Sequence, residues 1–117
     1  MYVVIFFGQG INGLTLIVYG PYATLAAANA AVGANSTNGQ YYVVQPTTLP
    51  TGNPNVPPTP SPVVSGQFVL VQSVVNLLGN TQYNVFGPYS TLQAAQLAGL
   101  SLPYTGGQLA AVVTAPI

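Results

Sequence analysis

No side chain of this protein carries a full charge: its 117 residues include no Lys, Arg, Asp, Glu or His. Ordinary chains are roughly 25% charged, so a charge-free chain of this length drawn at random has a probability on the order of 10⁻¹⁵. The absence is therefore imposed. A surface helix normally turns charged side chains to water, yet the stretch "YGPYATLAAANAAV", Tyr19 to Val32, has only Ala, Asn and Thr to offer. Any soluble surface has to be built from neutral polar groups and backbone.

The same absence removes most chemistry. Hydrolases and transferases need a base or an acid beside the reacting group. Without His, Asp, Glu, Lys or Cys there is no triad, no carboxylate pair and no side-chain metal site. No catalytic residue, cofactor site or metal site is assigned. Without a basic patch, counterion-release binding to nucleic acid is excluded, and so is attraction to an anionic membrane. Only the termini and eight Tyr titrate, so stability is expected to be nearly flat between about pH 5 and 8.

Half of the residues are hydrophobic, which is enough for a core and opposite to the signature of disorder. The best membrane-spanning window is Leu14 to Ala34. Gly20-Pro21 interrupts it, and a period-2 pattern followed by a helical one accounts for it better than a span does.

The chain repeats itself. Tyr19-Gly20-Pro21-Tyr22-Ala23-Thr24-Leu25 returns 67 residues later as Phe86-Gly87-Pro88-Tyr89-Ser90-Thr91-Leu92. Tyr2 to Ile5 matches Phe68 to Val71, and Gly39-Gln40 with its apolar run matches Gly107-Gln108 with its own. Each unit reads strand, strand, helix, strand. In the first, strands are expected at Tyr2 to Phe7, Leu14 to Tyr19 and Gln40 to Gln45, with a helix over Leu25 to Ala34 capped by Thr24. In the second, they are expected at Phe68 to Val75, Gln82 to Phe86 and Gln108 to Thr114, with a helix over Leu92 to Leu100 capped by Thr91. Each Gly-Pro is expected to break the sheet, because Pro cannot donate to a ladder.

Between the units, Pro46 to Gly66 holds seven prolines. It reads as an extended, polyproline-II-like linker draped over the surface. The domain layout is then a first ββαβ repeat at 1–45, the linker at 46–66 and a second repeat at 67–117. The expected fold is α+β. Two ββαβ repeats related by a pseudo-two-fold form one mostly antiparallel sheet, with both helices on one face. The expected inner set is Val4, Phe6, Leu16, Val18, Ala28, Val32, Val69, Val71, Val85, Ala95 and Val112.

The arrangement V-Y-G-P-Y-x-T-x-x-x-A-x-x-A at Val18 to Ala31 resembles small ββαβ proteins of actinobacteria and their phages. The resemblance covers about 15 residues per repeat and implies no activity. A capping box places Glu or Gln three residues after the cap, and here those positions are Ala27 and Ala94. With Asn, Gln and Ala at the other exposed helix positions, the chain resembles engineered proteins made to ask whether folding needs charge.

Three motifs have blander readings. Gly8-Gln9-Gly10-Ile11-Asn12-Gly13 matches the dinucleotide fingerprint, but a strand comes after it and no acidic residue exists to hold a ribose, so it reads as a hairpin loop. Asn35-Ser36-Thr37 is a glycosylation sequon of the kind that arises by chance. Pro57 to Pro62 lacks the flanking basic residue of a proline-rich ligand. Tyr19, Tyr22, Phe86 and Tyr89 are the candidate binding or packing aromatics, and their recurrence at equivalent places favours packing at the strand-to-helix corner.

The function expected is non-catalytic: an engineered, charge-free structural or interaction domain that tests folding and solubility. The alternative is a natural self-assembling subunit, such as a filament, capsid-decoration or cell-surface protein. The third reading is a sugar- or peptide-binding module. Charge normally blunts strand edges, so its absence predicts homo-oligomers or aggregates formed through them.

Overall fold

The computed structural model describes residues 1–10, 13–35, 40–49, 55, 59–75, 77–100 and 107–116. The fold is α+β, with six strands in one mixed, curled sheet and two helices. The elements are β1 (Tyr2–Gly10), β2 (Gly13–Tyr22), α1 (Leu25–Asn35), β3 (Gln40–Val44), β4 (Phe68–Val75), β5 (Thr81–Tyr89), α2 (Leu92–Gly99) and β6 (Gln108–Thr114). Across the sheet their order is β3-β1-β2-β6-β4-β5. β1 pairs antiparallel with β2 and β3, and β4 pairs antiparallel with β5 and β6. The join between them is parallel: Val18 and Tyr19 of β2 lie opposite Val113 and Thr114 of β6.

The sheet curls until its outer strands meet. Three residues beyond β3, the Thr47 N–H donates to the Val85 carbonyl at 2.9 Å, and its carbonyl accepts from Gly87 N–H at 3.2 Å. Thr47 thus forms a parallel bridge with Phe86 of β5. Lower on the same seam, the rings of Tyr42 and Tyr83 close to 4.6 Å between centroids. Successive side chains of a strand point to opposite faces, and all six strands send one set into the curl. Val3, Ile5, Val18, Val69, Val71, Val85 and Val113 are buried there, with Phe7, Leu16, Tyr42, Val44, Tyr83 and Ala111 packed against them. This β-branched interior is the main core.

The helices cover the other face. Ala28 of α1 is buried with Val4 and Tyr22, flanked by Ala31, Val32, Tyr41 and Val43. In α2 the buried residues are Ala95 and Gly99. A Cβ on Gly99 would come within 2.7 Å of Gln108 Oε1 and 3.5 Å of Leu70 Cδ1, so the helix seats close to β4 and β6. Both expected caps form: Thr24 Oγ1 accepts from Ala27 N–H and Thr91 Oγ1 from Ala94 N–H, each at 3.1 Å. Neutral hydroxyls do here what a cap requires, with no acidic residue in either first turn.

Three expectations are corrected. The Gly-Pro pairs do not end their strands: β2 runs through Gly20-Pro21 to Tyr22, and β5 through Gly87-Pro88 to Tyr89. Each ladder absorbs the pair in a register shift, between Tyr2 and Val4 in β1 and between Phe68 and Leu70 in β4. A bulge leaves residues out of the ladder, so the missing proline N–H costs no pairing. Val112 is 44% exposed and Val113 is the core residue. Both are Val, so the alternation of β6 carries no sign to tell its faces apart. Finally, the Pro-rich segment is not draped outside throughout. Val63 is fully buried in the main core, and Pro46 is buried as well. Its arms are tied together by Thr48 N–H to the Thr59 carbonyl and Ser61 N–H to the Pro46 carbonyl, both at 2.9 Å. Ser65 Oγ also donates to the Gly20 carbonyl at 3.1 Å.

Candidate functional site

The interior of the curl is filled unevenly along its length. Toward the Gly-Pro end it is packed with Val and plugged by Val63. Toward the hairpin end it opens into a cavity of about 350 Å³. The residues that reach it continue the inward-facing phase of each strand: Phe7 comes after Val3 and Ile5, Tyr83 precedes Val85, and Ser73 comes after Val69 and Val71. Phe7, Leu16, Val71, Val75, Tyr83 and Leu109 line it with carbon, Ser73 and Thr81 add hydroxyls, and Gly107 and Gln108 complete the lining.

Three rings meet at this end. Phe7 and Tyr83 are tilted at 5.1 Å, Phe7 and Tyr42 stand edge to face at 5.8 Å, and Tyr42 and Tyr83 lie at 4.6 Å. These separations fall in the favourable range for aromatic pairs. Tyr42 donates its hydroxyl to Gln40 Oε1 at 3.1 Å. Burial pushes the Tyr83 phenol above its ordinary value, and the nearby Tyr42 phenol adds to the shift. Tyr83 is therefore neutral at physiological pH, and the cavity holds no charge in either its walls or its surroundings.

Ser73 is the polar group whose role is best defined. Its N–H donates to the Gly107 carbonyl at 2.9 Å, and its hydroxyl leans on the same oxygen at 3.4 Å. The hydroxyl donates to Gly107, so the acceptor side of its oxygen is what remains for another partner. On the other face of β4, Gln72 is buried. Its Oε1 accepts from Asn84 Nδ2 at 3.4 Å, and its Nε2 has no partner among the described residues.

The aromatics singled out in the sequence lie elsewhere. Tyr22 is buried beside Val4 and Ala28 with Tyr19 packed against them, beneath α1. Phe86 is buried against Leu70 with Tyr89 and Leu49. The two pairs sit in separate clusters on the helix side, and none of the four reaches the cavity. Phe7 and Tyr83 are in phase with Val3, Ile5 and Val85, which the structure buries, and Tyr42 is in phase with the half-buried Val44. The fingerprint glycines Gly8 and Gly10 lie in β1 and Gly13 in β2, so no helix opens there. Ile11 and Asn12 lie outside the described residues, as do Ser36 and Thr37 of the sequon and Pro57-Pro58 of the proline motif. No described helix is long and apolar enough to cross a membrane. Comparison with protein-family models, curated proteins and solved structures finds no match to this chain.

Proposed function

We propose that this chain is a non-catalytic, charge-free variant of a small tandem ββαβ protein, engineered to fold and stay soluble without ionisable side chains. One observation carries the reading: positions where charge usually assists are served by neutral groups. Thr24 and Thr91 cap the helices. The wet side of α2 bears Leu92 and Leu97, 42% and 58% exposed, where a natural helix would place Lys or Glu. Acid–base work at neutral pH is mostly done by His, Asp, Glu, Lys or Cys, and the chain has none of them.

The tandem origin draws support from the strand order. It reads third-first-second in one half and third-first-second in the other. At both seams a second strand faces the path of a third strand in parallel: β2 beside β6, and β5 beside Thr47 just past β3. A pseudo-two-fold running along the axis of the curl would relate two such halves. Gene duplication and then replacement of each charge is the history that fits.

Analytical ultracentrifugation over a concentration series, at low and high salt, tests the proposal. A monomer indifferent to salt supports an isolated engineered domain. A reversible assembly of defined size, equally indifferent to salt, favours a natural self-assembling subunit. That second reading has its own observation, since Leu77 and Leu78 on the β4–β5 turn are almost wholly exposed and exposed apolar surface marks contact sites.

A further inference from the structure

We infer that the cavity at the hairpin end of the curl binds a small, neutral aromatic molecule carrying one hydrogen-bond donor, of the phenol or indole class. Each property of the ligand reflects a property of the site. The volume, about 350 Å³, lies at the lower end of small-molecule sites, which span roughly 300–1,000 Å³ and often occupy the mouths of barrels. That size suits one ring or two fused rings. The ligand is neutral because no side chain carries a charge to balance one, and burying an unpaired charge is costly. It is aromatic because Phe7 and Tyr83 present a tilted pair of rings, and a third ring can pack against them.

The donor requirement comes from Ser73. Its hydroxyl donates to the Gly107 carbonyl at 3.4 Å, and that carbonyl also receives the Ser73 N–H. What Ser73 Oγ can offer the cavity is an acceptor. A ligand N–H or O–H satisfies it without disturbing the contact to Gly107, whereas a ligand acceptor has to draw the hydroxyl away from that carbonyl. Recognition would thus rest on one directional contact at Ser73 within a mostly apolar wall, with the Thr81 hydroxyl the other polar side chain there.

Indole and benzofuran are matched probes: they share shape, and only indole has a donor. Each is titrated into the full chain while NMR tracks the methyl groups of Leu16 and Val71 and the ring of Tyr83. Indole is expected to shift these signals and to bind roughly three- to tenfold tighter than benzofuran, the worth of one hydrogen bond. Ser73→Ala should abolish that preference while leaving benzofuran unchanged. Ser73→Leu, which fills the cavity, should weaken both ligands at least about tenfold, as expected when a pocket is occupied by side-chain carbon. Should Ser73→Leu fail to fold, Leu109→Phe at the half-exposed rim serves the same purpose. The inference is overturned if neither probe shifts the cavity signals up to its solubility limit. It is equally overturned if benzofuran matches indole, if a folded filling variant binds as before, or if the shifts fall on Leu77 and Leu78 alone.

Discussion

The two seams of the curled sheet solve one problem by different means. At the first, β2 and β6 meet as strands, and Val18 and Val113 are both buried where they touch. At the second, β3 stops short of β5, and Thr47 alone supplies the bridge. The gap below is closed by Tyr42 against Tyr83. The difference originates in the chain just past β3. Pro46 comes directly after Gln45 and has no N–H to give, so a ladder cannot run unbroken past β3. Backbone pairing holds one seam and side-chain rings hold most of the other. A sheet can therefore close on itself with a single bridge where bulky rings exclude water beside it.

The largest expected effect separates the two Gly-Pro bulges. Gly87 has φ +154°, and a Cβ there would lie 3.2 Å from the Phe68 carbonyl oxygen. Gly87→Ala should cost about 3 kcal/mol in denaturant melts, from strain and from crowding of backbone. At Gly20 a Cβ would press on Cγ1 of the buried Val3 at 2.9 Å, but φ is not positive there, so Gly20→Ala carries crowding without backbone strain and should cost less. Equal losses would show that the bulges are under the same constraint.

The seams themselves come next. Val113→Ala removes buried methyls from the first seam and should cost about 2 kcal/mol. Thr47→Pro deletes the N–H that reaches Val85 and should cost about 1–2 kcal/mol, the penalty of an orphaned carbonyl. If Thr47→Pro proves the more damaging, the bridge and not the rings is what holds the second seam; hydrogen exchange at Gly87 N–H would then rise with it. The caps are smaller. Thr24→Ala and Thr91→Ala should each cost about 1 kcal/mol, read as matched shifts in thermal midpoint. A clear inequality would show that one helix relies on its cap more than the other.

The smallest effect within the physiological range is that of pH. Melting should be flat between about pH 5 and 8, because no side chain titrates there. Burial raises both Tyr83 and Tyr89 above the ordinary phenol value, with Tyr42 adding to Tyr83. A raised folded-state pKa favours the protonated folded form. That stabilisation is complete below the ordinary value of 10.0 and is lost as pH climbs through the raised one. Stability should accordingly decline only in alkali, and Tyr83→Phe should blunt the decline.

Much of the fold was legible because turn chemistry survives without charge. β4 and β6 span the residues that alternation and flanking glycines mark, Phe68–Val75 and Gln108–Thr114. Thr24 and Thr91 announce their helices through hydroxyls. Faces were harder to read. Polar residues normally mark the wet side of a strand, and here Val112 and Val113, or Phe6 and Phe7, give no contrast. The Gly-Pro passages misled for another reason: proline rules count hydrogen bonds, and a bulge takes the residue out of the count. The cavity was hidden because Phe7 and Tyr83 come from strands far apart in sequence, and only the closing of the second seam brings them together. Val63 was hidden by its seven proline neighbours, which describe the segment's stiffness and not its destination.

β6 comes after every other strand in the chain, yet it lies between β2 and β4 near the middle of the sheet. During synthesis the two flanking pieces must wait, each with a bare inner edge, until the keystone emerges. A nascent chain halted before residue 108 would hold two unfinished sheets and no seam between them. The described sheet is thus most exposed in the interval before β6 is released, and a chain with no charged side chains to keep neighbours apart must cross that interval quickly or in dilute company.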